Sequence, residues 1–294
     1  MALIACNLEL EADRIPDQKH PLKHTCMKPV RLIILAAVAE EIQGLIPVLR
    51  PEKSFHFLGE TFFLAQRGEK AVILGTTGLG KVNGATVVSA LAQEFGPEQV
   101  WNIGCAGAYR EGPLRIGDVL ISTETLLGDE GILCTHGTAS TRSMGIPIVK
   151  RNHESFFDAL PLLRQEVYQE LEKVTPPGIY TARGKVFTPE EAPGSQKDPA
   201  DQFRVIHGSS LTVSLVSGDR ETAAQRFRQH GALSENMEGS GIAQACYRHD
   251  VPMMECRGMS NLAGERDKRF WNFPMAFAHC HAIVFLWLKH LNLN

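Results

Sequence analysis

The strongest constraint on the fold is a recurring junction, in which a largely apolar run stops abruptly at glycine, acidic or amide residues. Val30–Val38 runs into Glu40-Glu41, and Ala71–Thr76 into Gly78-Leu79-Gly80-Lys81. Val100–Gly104 runs into Cys105-Ala106-Gly107, and Pro252–Met259 into Ser260-Asn261. Runs of this kind, apolar without alternation, suit strands buried on both faces. Helical spacing lies between them: Ile42, Leu45 and Ile46 after Glu40, roughly Val82–Phe95, a stretch from about Arg220, then Glu238–Arg248. Trp271–Leu291 reads as a closing helix with Pro274 in its first turn. Phe55–Leu58 and Thr61–Gln66, separated by Gly59-Glu60, read as a hairpin; Asp118–Thr123 and Ser210–Ser217 read as further strands. Strand and helix in alternation predict an α/β fold, a central mixed sheet flanked by helices. A chain of 294 residues fits one such domain.

Some stretches depart from that rhythm. Residues 1–28 are charged and aperiodic and read as an N-terminal extension of a domain spanning 29–294. Residues 137–205 read as a divergent insertion. Within it, 137–153 is expected to be a loop, and Phe156–Val174 an amphipathic helix carrying Phe157, Leu160, Leu163, Val167 and Leu171. Residues 188–204, with Pro189, Pro193 and Pro199, are expected to form an exposed excursion.

Charge excludes several partners. Thirty Lys and Arg against 33 Asp and Glu give a net charge of -3, so the overall balance offers no footprint for nucleic acid or an anionic membrane surface. No apolar run approaches the roughly 18 residues of a spanning helix. Seven cysteines without a CxxC read as free thiols. With no basic start of a signal peptide, they point to a cytoplasmic protein.

In open α/β sheets, ligands sit beyond the carboxyl ends of the strands, so the junctions are where chemistry is sought. Gly75–Val82 fits the phosphate loop GxxxxGK[ST] except at its last position, where Val82 has no hydroxyl for magnesium. It reads better as a glycine turn or as the wall of a pocket than as part of an ATPase. Glu40-Glu41 reads either as a pair of helix-dipole carboxylates or as the source of a general base. Glu238 opens an apolar helix and must be buried with donors. A pair of ribose hydroxyls would supply them, with Met237 packing on the sugar, and a plain N-terminal cap is the simpler alternative. Asn261 is either a turn residue or an amide reading a base edge. His279-Cys280-His281 points three ways on one helix and reads as structural, so neither a metal nor a cofactor is expected.

Taken in order, these segments resemble the nucleoside phosphorylase and nucleosidase superfamily over roughly residues 30–291. The matching segments are Ala36–Glu41, Gly78–Val82, Asn102–Gly107, Ile116–Val119, Asn236–Gly239 and Arg257–Asn261. The resemblance implies a nucleoside phosphorylase-like fold, a small-molecule purine nucleoside as substrate, and a homo-oligomer. Phosphorylases of that superfamily place phosphate-binding arginines in the loop after the first strand and two residues before the glycine-rich strand end. Here those positions hold Ala39-Glu40-Glu41 and Asn102, which turns the resemblance toward hydrolases of the methylthioadenosine/adenosylhomocysteine nucleosidase type.

Two departures, Asn236 where adenosine-type nucleosidases carry Glu and Asn261 where they carry Asp, are similar to the futalosine hydrolases. So are Gly128–Gly131 and Ser260–Asp267. Futalosine hydrolases release hypoxanthine from futalosine in menaquinone biosynthesis. The resemblance implies Glu41 as the base that activates water and Glu238 on the ribose hydroxyls beside Met237. Asn261 would serve the purine N7/O6 edge, with Cys105, Ala106 and Gly107 lining the base site and Asn236 and Ser260 as further substrate-binding residues. Hypoxanthine offers two acceptors at that edge, which an amide serves and an ionised carboxylate does not, although an amide also tolerates adenine. For the aryl carboxylate of futalosine, Arg266, Lys268, Arg269 and Trp271 are the candidates. The competing readings are a methylthioadenosine-type nucleosidase and a nucleoside-binding protein without catalysis.

Overall fold

The computed structural model describes residues 29–135, 137–151, 153–162, 165–182, 186–187 and 202–293. The strand Val30–Ala36 sits inside a twelve-stranded sheet, and both of its faces are buried. Leu32 and Ile34 pack toward the closing helix Phe273–His290, onto Ile283, Val284, Trp287 and Leu288. Ile33 and Leu35 pack the opposite way, onto Val87, Val88 and Leu91 of Lys81–Phe95 and onto Ile242 and Ala243 of Gly239–His249. This is why the run shows no polar alternation: helices cover the sheet on both sides.

The order across the sheet is Val186–Phe187, Gly178–Thr181, Gln202–Thr212, Val119–Leu127, Met253–Leu262, Gln99–Ala108, Val30–Ala36, Lys70–Thr76, Glu60–Arg67, Lys53–Phe57. The strands at 253–262, 99–108, 30–36 and 70–76 are parallel. The hairpin at 53–67 and the pairing of 119–127 with 253–262 are antiparallel, which makes the sheet mixed, as expected. A short strand, Ser234–Asn236, bridges Gln202–Thr212 and the end of Gln99–Ala108.

Several expectations are corrected. The segment after Glu40 is not one helix. It forms two 3-10 turns, Ala39–Glu41 and Gln43–Leu45, then a single α-turn, Ile46–Leu49. Pro47 lacks the amide a continuous helix would use, and it is tolerated only where a new helix starts.

The expected helix Phe156–Val174 keeps only its second half, Gln165–Val174. Glu154–Phe156 pairs with Val149–Arg151, and Ala159–Pro161 joins Val119–Leu127 beyond the point where Met253–Leu262 leaves it. Pro161 cannot lie inside a helix, while Leu160 is buried as sheet core. Leu163 lies outside the described residues, as do the side chains of Val167 and Leu171. The expected loop at 137–153 contains Gly137–Ala139, a 3-10 turn at Thr141–Met144 and Val149–Arg151. The strand expected at Ser210–Ser217 lies earlier, at Gln202–Thr212, which also takes in the end of the expected excursion. The rest of that excursion, 188–201, and the extension 1–28 lie outside the described residues. Among the described residues no helix is long and apolar enough to cross a membrane.

Candidate active site

The carboxyl ends of the parallel strands open into one cavity of about 350 Å³, a size that suits a small organic ligand. Its wall contains Glu41, Cys105, Ala106, Gly107, Asn236, Met237, Glu238, Ser260 and Asn261, the nine residues named from the sequence. Two carboxylates separated by nearly 200 positions therefore face the same space.

Glu41 owes its position to the 3-10 turn that follows Val30–Ala36. The turn swings its carboxylate back over the strand ends. Oε2 accepts from the amides of Ala37 (3.0 Å) and Val38 (3.3 Å), and Oε1 from the amide of Cys105 (2.8 Å). The Nε2–H of His281 donates to the Glu41 carbonyl at 2.6 Å and ties the turn to the closing helix. Gly104 makes room for the side chain. A Cβ there would lie 2.5 Å from Oε1, and its φ of +140° is one that residues with a side chain avoid. His279 faces the carbonyl of Gly117, Cys280 faces Cys256 and His281 faces Glu41, so the three consecutive residues do point in different directions. Among the described residues no group of three or more His, Cys, Asp or Glu is placed to hold a metal.

Glu238 stands at the N-terminus of Gly239–His249 without capping it. The cap is Asn236, whose Oδ1 accepts from the amides of Glu238 (3.2 Å) and Gly239 (2.9 Å). Thr212 adds a bond from the amide of Ser240. Glu238 is thereby free to turn its carboxylate into the cavity, where Oε1 accepts from the amide of Gly80 at 3.0 Å. The glycine loop that imitates a phosphate loop thus serves as wall and donor. Gly78 and Gly80 hold left-handed φ, and Leu79 lines the cavity. Lys81 is spent on Asp129 (2.6 Å) and Glu130 (2.9 Å).

Burial pushes the Glu238 carboxyl above the usual carboxylate range. Arg257 and the Gly80 amide oppose the shift, and the charges of Glu41 and Glu255 add to it. Burial, followed by the charge of Glu41, also drives the Cys105 thiol up, so it stays a thiol at neutral pH and is a poor nucleophile.

Asn261 is aimed by a bulge. Met259 pairs with Ala106 and Asn261 with Gly107, which leaves Ser260 as the extra residue, a device that commonly re-aims side chains beside active sites. The hydroxyl of Ser260 donates to Asn261 Oδ1 at 2.8 Å, and Asn261 Nδ2 donates to the carbonyl of Leu262 at 2.9 Å. These partners fix which end of the amide carries the NH₂, and one of its two N–H groups has no partner of its own among these bonds. Nδ2 of Asn236 is also buried and lacks a partner among the described residues.

Of the four residues proposed for the far end of a substrate, Arg266 and Trp271 line the cavity. The guanidinium of Arg266 lies over the Trp271 ring, 4.9 Å from its centroid. Lys268 and Arg269 are not in the wall, and Arg269 is paired with Asp267.

Arg257, which opens one of the matching segments, and Glu255 were given no role in the sequence reading. Arg257, 1% exposed, lies 3.7 Å from Glu238 and 3.2 Å from Glu255, which is itself fully buried. The two positions the sequence reading checked for phosphate-binding arginines hold none, yet a cation does stand beside the carboxylates. The available signal was two opposite charges spaced i and i+2, on one face of a strand otherwise suited to the core.

A buried two-carboxylate cavity at the carboxyl edge of a mixed α/β sheet defines an enzyme of small-molecule chemistry. The chain belongs to the phosphorylase superfamily, whose family model matches residues 31–281. A 5'-methylthioadenosine/S-adenosylhomocysteine nucleosidase of Bacillus thuringiensis subsp. konkukian (strain 97-27) is 25% identical over 258 residues, 87% of this chain and 96% of that relative. The fold is similar to the crystal structure of a nucleosidase of the same name from Colwellia psychrerythraea 34H in complex with adenine. The TM-score is 0.68 at 21% identity, over 90% of this chain and 97% of that one. A futalosine hydrolase mutant from Helicobacter pylori strain 26695 gives the same TM-score at 16% identity, over 89% of this chain and 99% of that one.

Proposed function

We propose that this enzyme is a nucleosidase that hydrolyses the N-glycosidic bond of a 5'-substituted purine nucleoside, releasing hypoxanthine from futalosine or a close analogue. The nucleosidase part rests on the family and on relatives that carry that activity in their names. The choice of base rests on one observation, the orientation of the Asn261 amide. Its oxygen is engaged by Ser260, and its NH₂, which gives one N–H to the Leu262 carbonyl, has a second to offer a ligand in the cavity that Asn261 lines. A donor there suits the O6 and N7 acceptors of a 6-oxopurine and gains strength as negative charge grows on the leaving base. Arg266 over Trp271 offers a cation on an apolar plate, which suits an aryl carboxylate. In this reading Glu41 orients and deprotonates water for attack at C1', and Glu238 holds the ribose hydroxyls and faces the cationic sugar of the transition state.

The second reading is an adenine-releasing methylthioadenosine or adenosylhomocysteine nucleosidase, which the named function of the 25% identical relative supports. Identification of the base released from futalosine, inosine, methylthioadenosine and adenosylhomocysteine, with and without phosphate, separates the two. Hypoxanthine from futalosine, without any need for phosphate, is the expected result. Adenine from methylthioadenosine with futalosine untouched would replace it with the second reading. In the Asn261→Asp variant, hypoxanthine release is expected to fall about 10²–10³-fold, the usual cost of a lost transition-state donor, with adenine nucleosides gaining relative to it.

The active unit in this reading is a homo-oligomer bound through the cavity mouth. Val38, Leu79 and Val216 line the cavity and leave large apolar surface exposed, a pattern that marks interaction surfaces. Sedimentation velocity is expected to give a dimer or larger; a stable monomer at assay concentrations would refute it.

A further inference from the structure

The buried carboxylate Glu255 has no place in the chemistry described so far, yet the sequence spends four hydrogen bonds on it. Oε1 accepts from the hydroxyls of Ser122 (2.7 Å) and Ser210 (2.6 Å), and Oε2 from Asn102 Nδ2 (2.7 Å) and Arg257 Nη2 (3.2 Å). These donors come from three other strands of the sheet in addition to its own. Glu255, Asn102, Ser122 and Ser210 are fully buried and Arg257 is 1% exposed. An isolated carboxylate in such a place is very costly, so the donor set is built around it.

The arrangement around Arg257 indicates its use. The guanidinium has Glu255 at 3.2 Å but Glu238 only at 3.7 Å. Its remaining contact is a long one, Nη1 to the Ile103 carbonyl at 3.5 Å, and its Nε is buried without a partner among the described residues. Arg257 is paired across the sheet with Gly104, the residue over which the Glu41 carboxylate lies. Its ion pairs are with Glu255 and Glu238, and the charge of Glu41 acts on it from farther off, so one cation serves three carboxylates. We propose that Glu255 is a positioning residue of the hydrolytic site: it holds Arg257 beneath Glu238 and Glu41 as their common counter-ion and keeps the guanidinium from closing a tight salt bridge with Glu238. Three carboxylates against one guanidinium give the cluster more anionic than cationic groups, which suits a sugar that becomes cationic in the transition state. A bidentate clamp of Arg257 on Glu238 would neutralise the group meant to face that sugar.

The inference rests on the nucleosidase reading, and Glu255→Gln tests it. Gln preserves the shape of the network. Its oxygen takes the Oε2 position and accepts from Asn102 and Arg257, while its amide donates to Ser122 and Ser210, whose hydroxyls are free to rotate. Only the charge is lost. Glu238 is faced by Arg257 and Glu255 from one strand, Glu41 from the first turn and the Gly80 amide from the glycine loop. Removing Glu255 leaves Arg257 to pull on Glu238, so Glu238 ionises at lower pH.

The measurement is kcat and KM across pH for whichever purine nucleoside the wild type cleaves. A misplaced group of this kind costs up to about 10²-fold. The expected result is therefore a kcat reduced about ten- to a hundredfold with KM within about threefold. The acid limb of the profile should move down by about one pH unit, the lower end of what a nearby charge does. Wild-type kcat together with an unmoved acid limb would overturn the proposal. If the wild type cleaves no purine nucleoside, it is the underlying reading that has failed. Should the single variant not fold, Glu255→Gln with Arg257→Gln removes both charges together. That pair is expected to be as slow as Arg257→Gln alone, and wild-type turnover in it would overturn the proposal equally.

Discussion

In Glu41→Gln, base release is expected to fall about 10²–10⁴-fold, the range for loss of a positioned general base, with KM changed only a few-fold. The argument begins with the backbone. The end of one strand and its turn supply two amides to Oε2, and the neighbouring strand supplies one to Oε1. These three amides satisfy the carboxylate and aim it.

Gln reproduces the length of this side chain but not its acceptor count. Its NH₂ must face either Cys105 or the Ala37 and Val38 pair, donor against donor, so at least one of those bonds is lost. It also cannot take a proton from water. Both losses act on the chemical step rather than on substrate binding, hence a kcat effect with little KM effect. Initial rates of base release, followed by chromatography, with a melting curve on the same sample, check the prediction. Near-wild-type turnover by a folded variant would remove Glu41 from the chemistry.

How much of this site could be read in the sequence depends on where each residue stands relative to the apolar runs. Glu41 and Glu238 were legible because a carboxylate at the edge of a core element needs a reason to be there. Asn261 was legible because the strand before it ends abruptly. The bulge that aims it was not legible, since the extra residue, Ser260, is defined only by pairing with Ala106 and Gly107. Glu255 and Arg257 were hidden by a strand read as apolar. Their charges make sense only once Ser122, Ser210 and Asn102 arrive from strands distant in the chain. The fold follows the same division. Buried parallel strands and long helices show their period locally. The short strand Ser234–Asn236 is polar in sequence and buried because of its two neighbours, and Ala159–Pro161 is a strand because a neighbouring strand has a vacant side to fill. Tertiary context decided these pieces, and propensity had no vote.

Glu238→Gln should separate catalysis from stability in opposite directions. Burial raises the folded-state pKa of Glu238 above the ordinary carboxylate range. The folded protein therefore binds this proton more tightly than the unfolded chain does. The associated stability is fully present below the ordinary carboxylate range and is lost as pH rises through the raised pKa. Above that raised pKa the wild type holds an ionised group that the fold would prefer neutral.

Gln keeps the acceptor for the Gly80 amide and removes the charge. Arg257 is not stranded, because Glu255 remains at 3.2 Å. The melting temperature at pH 7 is expected to rise by about 2–4 °C, the shift that about 1 kcal/mol gives in a chain of this class. The difference from wild type should vanish at pH 4 and below. Turnover is expected to fall about 10²–10³-fold, as for other lost electrostatic contacts to a transition state. In the wild type the same titration runs the other way for activity, which rises with pH as Glu238 ionises. Differential scanning fluorimetry and initial rates, both taken from pH 4 to 8, carry the test. A variant that melts below the wild type at pH 7 would mean that Arg257 outweighs desolvation at Glu238, and that the carboxylate is structural rather than held against the preference of the fold for the chemistry.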